Sequence, residues 1–145
     1  MEISTIQSAL ENILPQGTYL NVKPYKGMSD NYIAIQFASL DFNINGVSGQ
    51  RPDAVSLSLC LNDLELLVQM YGGCGGNRIY RKPNLEDPKE KYLAMKGVKV
   101  PFRQPQKNEV AVLKAIKTFA LNWIKTIKEN KDTLYYKDKV DYSKF

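Results

Sequence analysis

The sequence predicts an α+β fold: an antiparallel sheet of four to five strands, a long C-terminal amphipathic helix across one face, and short helices at the N-terminus and mid-chain. Two observations carry this. Several short segments alternate apolar and polar residues with the period of two that a half-buried strand requires. One late segment repeats apolar residues at the helical period over more than twenty positions. The length of 145 residues fits one domain able to bury a core. The expected boundaries are a domain over residues 1–130 and a charged, aromatic tail over 131–145.

The N-terminal element reads as a helix. Ser4 and Gln7 have capping-box spacing, Ile6, Leu10, Ile13 and Leu14 follow at helical intervals, and Pro15-Gln16-Gly17 ends the run. Three strand-like stretches come next. In residues 18–25, Leu20 and Val22 face opposite to Tyr19 and Asn21. In residues 31–42, Ile33, Ile35 and Phe37 share one face, with Tyr32, Ala34 and Gln36 on the other. In residues 54–61, Val55, Leu57, Leu59 and Leu61 point inward and Ser56, Ser58 and Cys60 outward, as in a half-buried antiparallel strand. Asn45-Gly46 marks the turn before this last strand.

Residues 62–71 read as a short helix. Asn62 or Asp63 serves as cap, Leu64, Leu67, Val68 and Tyr71 give the apolar spacing, and Gly72 and Gly73 stand where a left-handed C-cap is needed. Residues 77–82 and 91–102 are expected strands, joined by an exposed loop at 83–88, with Val98, Val100 and Phe102 on one face. The final helix spans about residues 107–130. Val112, Leu113, Ile116, Phe119, Ala120, Trp123, Ile124 and Ile127 fall on an arc about 140° wide at 100° per residue, which marks the buried face.

Charge divides the chain. Residues 1–76 carry three basic and seven acidic side chains, residues 77–145 seventeen and eight, and the total is +5. A positive C-terminal half points to an anionic partner, or else to a solvated lysine face, lysines outnumbering arginines sixteen to four. Histidine is absent. That removes Ser-His and Cys-His nucleophile pairs, histidine zinc sites and the commonest general base. Cys60 and Cys74 lie too far apart, without a second pair, to make a zinc site or a disulfide framework. Glu86, Asp87 and Glu90 sit among proline and lysine and read as a solvated loop. The glycines from 72 to 76 lack the Lys-Ser/Thr ending of a phosphate-binding loop, and Cys74 has no base near it in sequence. We therefore expect no enzyme activity, no metal and no cofactor. With no basic leader and no apolar run of membrane length, the expected location is cytoplasmic and the expected partners include no membrane.

Basic and aromatic residues recur together in separate segments: Lys23, Tyr25, Lys26 and Tyr32 early, Arg78, Tyr80 and Arg81 in the middle, and Lys96 and Lys99 on an expected neighbouring strand. Cations along the backbone and aromatic faces under the bases are what binding of single-stranded nucleic acid requires. On the long helix Lys114, Lys117, Lys125 and Lys128 lie within about 80° of arc around Leu121. Leu121 is out of place on a purely solubilising face and is expected, with Tyr135, Tyr136 and Phe145 of the tail, to contact a partner subunit.

A sheet backed by a long C-terminal helix, with basic and aromatic residues on its strands, resembles the whirly-type single-stranded DNA-binding proteins. The likeness is architectural, covers about residues 18–130, and includes Lys26-Gly27 as an echo of the plant members' lysine-glycine motif. Members of that group, phage versions included, oligomerise through their helices and bind DNA along the sheet. The resemblance implies a non-enzymatic, sequence-independent binder of single-stranded nucleic acid acting as a homo-oligomer. The alternative is a protein-binding inhibitor or adaptor whose lysine ridge and tail meet an acidic protein surface.

Overall fold

The computed structural model describes residues 1–26, 31–39, 54–71, 80–98, 100–101, 103–132 and 140–145. The Asn45-Gly46 turn, Gly72, Gly73, Cys74, Arg78, Lys99, Phe102, Tyr135 and Tyr136 lie outside them. Helix α1 (Ile3–Glu11) buries Ile6 and Leu10. It starts ahead of Ser4, with Glu2 as N-cap and no side-chain cap bond, so the expected capping box does not form. Gln7 instead donates from Nε2 to Glu11 Oε1 at 3.0 Å, one helical turn on. Gly17, at φ +88°, turns the chain into the sheet in a conformation that penalises any side chain.

The main sheet is antiparallel with strand order β1 (Tyr19–Lys26), β2 (Asn31–Ala38), β3 (Ala54–Cys60), β4 (Glu65–Tyr71), β7 (Arg103–Pro105). Pro24 sits on the edge strand β1, where proline is tolerated. On one face Val22, Ile33, Ile35, Phe37, Val55, Leu57, Leu59 and Leu66 are buried, as alternation requires.

Two elements differ from the sequence reading. Residues 65–71, expected as helix, form β4, and a tight turn over residues 61–64 explains why. Asp63 Oδ1 accepts from the Glu65 N–H at 3.1 Å, and Leu64 takes φ +54°, so the chain reverses directly out of β3. Once reversed, the segment gains ladder partners on both sides, β3 and β7, and buries Leu66. Tertiary pairing overrides local helix spacing. Leu57 pairs with Val68 and Ser56 with Met70, so a bulge at Gln69 shifts the register of β4 against β3 by one residue.

The second difference is α2 (Pro88–Met95), where a loop and the start of a strand are expected. Asp87 caps it, accepting from the Lys89 N–H at 2.9 Å, and Pro88 follows at the first helical position. Glu90 Oε1 accepts from the Asn84 N–H at 3.0 Å, fastening the approach to the helix. No residue of α2 is buried. Among the described residues, the expected strands around it contribute β5 (Tyr80–Arg81) and β6 (Val100–Pro101), a separate two-stranded ladder.

Helix α3 (Glu109–Asn130) matches the expected element. Val112, Ile116, Phe119, Ala120, Trp123 and Ile127 are buried against the sheet and α1, and Leu113 and Ile124 pack at the margin. Asn108 caps it through Oδ1, which accepts from the Ala111 N–H at 2.9 Å. Asn108→Ala is expected to lower the unfolding free energy by about 1 kcal/mol, read from urea denaturation as a lower midpoint at constant slope. After α3 the chain returns to the core. Asp141 caps a short 3₁₀ turn (Tyr142–Lys144), and hydrogen bonds from Ser143 hold its carboxyl below the usual aspartate range. The buried Tyr142 hydroxyl lies 3.2 Å from Ser39 Oγ, and the Phe145 ring packs edge-on to Trp123 at 5.3 Å. The end of the expected tail therefore belongs to the same core as residues 1–130, and Phe145, expected at a partner contact, packs internally.

Candidate nucleic-acid interface

The helices α1 and α3 cover one face of the sheet, and no described helix packs on the other. Strand register orders the side chains of this open face into cross-strand rows. One row runs Lys23, Ala34, Ser58, Leu67, Arg103, and the next runs Tyr25, Tyr32, Cys60, Glu65, Pro105. At about 4.8 Å per strand, the first row sets a cation at each edge of the sheet, about 19 Å apart.

Between these edges the floor is made of short side chains. Ser56, Ser58 and Cys60, expected to face outward, are instead buried, at 8%, 2% and 7% exposed. β3 is the middle strand of five, and every residue in it is buried. Tyr25 leans over this floor, its hydroxyl donating to Ser58 Oγ at 3.0 Å. Its ring stacks on that of Tyr32 across the strand pair, with centroids 5.1 Å apart and planes 10° from parallel. Tyr25 nevertheless keeps 38% of its surface exposed. Burial pushes the Cys60 thiol pKa up, which leaves it protonated and unreactive at neutral pH.

Arg103 escapes a sequence reading that ends its last strand at Phe102. Its place on the open face comes from its pairing with Leu67 of β4. Its Nε donates to Glu65 Oε1 at 2.5 Å, and this contact raises the guanidinium pKa further. Most of the Arg103 side chain remains in solvent.

Of the expected binding residues, Lys23, Tyr25 and Tyr32 share the open face. Lys26 falls at the end of the same edge strand, and Tyr80 and Arg81 lie on β5 in the other ladder. Lys96 is not on a strand beside them. It caps the C-terminus of α2, with its ammonium 4.5 Å from the centre of the Tyr92 ring. The Asp87-Pro88 helix start, absent from the strand reading, causes this displacement. Leu121 and its four lysines lie on the solvent side of α3, away from the open face.

Among the described residues no cluster of three or more Cys, Asp or Glu could hold a metal ion, and no helix is long and apolar enough to cross a membrane. No family model, curated protein or solved structure matches the chain.

Proposed function

We propose that this protein binds single-stranded nucleic acid without sequence preference and without enzymatic activity, along the open face of its sheet. The observation that carries this reading is the pairing of the two rows: cations at both edges, and beside them a stacked tyrosine pair over a floor of short side chains. A backbone crossing the strands meets Lys23 at one edge and Arg103 at the other. An unpaired base finds the Tyr25–Tyr32 platform, whose π faces accept every base alike. Glu65 orients Arg103 in the free protein and yields it to phosphate on binding. The expectation drawn from the whirly-type resemblance, DNA laid along a sheet, agrees with this reading.

The test is fluorescence anisotropy with labelled oligothymidylate, oligouridylate and a duplex control. Single strands should bind more tightly than duplex. With two phosphates neutralised, affinity should fall about sevenfold between about 50 and 200 mM salt, and each further contact should multiply that loss by about 2.6. Lys23→Glu should weaken binding, and Glu65→Gln, which removes a competing carboxylate and frees Arg103, should strengthen it. Absence of single-strand binding at the lower salt would overturn the reading.

A further inference from the structure

The solvent side of α3 carries Val110, Lys114, Lys117, Leu121, Lys125 and Lys128. Their steps of four, three, four, four and three residues keep them in one stripe about 80° wide and about 27 Å long. That spacing follows the 3.5-residue repeat along which a second helix can stay in contact. The four lysines are exposed, and Val110 and Leu121 are 76% and 56% exposed. Lys125 lies 4.0 Å from Glu129, which stands off the stripe, and none of the other three lysines forms an ion pair among the described residues.

Each simpler occupant leaves part of the stripe unexplained. Solvent needs neither aliphatic side chain. A second copy of the same face would oppose ammonium to ammonium along its length. A bilayer takes up a helix through a broad apolar face, and on α3 that face is turned into the core. A phosphate backbone would be served by the lysines alone, leaving Val110 and Leu121 in water. An acidic amphipathic helix satisfies both sets, with carboxylates for the lysines and two aliphatic residues for the exposed pair. We infer that the outer face of α3 is a docking site for an acidic amphipathic helix of a partner protein. The site stands on the opposite side of the molecule from the open sheet face and does not rest on the nucleic-acid reading.

The probe is a fluorescein-labelled helical peptide of about 20 residues, long enough to run the stripe. It carries Glu opposite the four lysines and two Leu spaced as Val110 and Leu121 are. Control peptides replace the Leu by Ser or the Glu by Lys. Oligothymidylate and phosphatidylcholine vesicles with and without phosphatidylserine are measured in parallel. The Glu/Leu peptide should bind the full chain at least about tenfold more tightly than either control. Lys117→Glu with Lys125→Glu should reverse the preference to the Lys peptide, and Leu121→Ser should weaken binding without changing charge preference. Tyr25→Ala should weaken oligothymidylate binding and leave the peptide preference as it is, which separates this site from the sheet face. Circular dichroism checks that each variant folds, and Lys117→Gln, at an exposed site, provides a milder second charge variant. Equal binding of the Glu/Leu and Ser control peptides would overturn the proposal. So would loss of oligonucleotide or vesicle binding in the double reversal without any peptide binding, which would assign the stripe to a phosphate backbone or an anionic lipid.

Discussion

Trp123→Ala should destabilise the fold by about 3–5 kcal/mol, the range for removing a fully buried large aromatic side chain. Trp123 is completely buried and sits where three parts of the chain meet. Phe37 of β2 packs edge-on to it at 5.2 Å, and Phe145 packs edge-on at 5.3 Å from the other end of the sequence. Truncation removes both aromatic contacts and leaves a cavity that a sheet and a helix cannot collapse to fill. Against a usual total of about 5–15 kcal/mol, that is a large fraction. In thermal unfolding it corresponds to a drop of about 8–16 °C at about 4 kcal/mol. Trp123→Phe should retain most of the stability, because the indole N–H has no hydrogen-bond partner among the described residues and its removal forfeits no bond. A loss below about 1 kcal/mol for the alanine variant would remove Trp123 from the centre of the core.

Tyr25→Ala combined with Tyr32→Ala should reduce single-strand affinity by about 1–3 kcal/mol for each base that the platform holds, about five- to 150-fold for one base. The salt dependence should be unchanged, because no cation is removed. Tyr25→Phe separates the two roles of that residue. It forfeits the hydrogen bond to Ser58 Oγ but keeps the ring over Tyr32, so most of the affinity should remain. Anisotropy titrations at two salt concentrations check both statements. A folded double variant that binds single strands as the parent does would remove the platform from the interface.

Where alternation or helical spacing spanned a whole element, the sequence was sufficient. Ile33, Ile35 and Phe37 define the core face of β2, and the arc from Val112 to Ile127 defines that of α3, because each pattern repeats often enough to exclude another period. Residues 64–71 fit a helix and a strand almost equally, and the choice is made by the turn before them and by the pairing offered on both sides, neither of which is a local property. The α2 start was legible in principle, since Asp87, Pro88 and Glu90 are the cap, first-turn proline and acidic residue of a helix N-terminus. A reading that weighed those charges as a solvated loop passed over it. The burial of Ser56 and Ser58 was not legible, because alternation alone does not show that their strand lies in the middle of a five-stranded sheet. For the candidate site, Lys23, Tyr25 and Tyr32 were accessible from the mixture of residue types. Arg103 entered only through its register against Leu67.

Helix α2 is held by its caps and contributes no side chain to the interior. Its formation and loss are therefore nearly uncoupled from the cooperative unit formed by the sheet, α1 and α3. Such an appendage can be lengthened, recoded or exchanged over generations at little cost to the rest of the molecule. It gives the protein a surface free to diverge while the scaffold stays fixed.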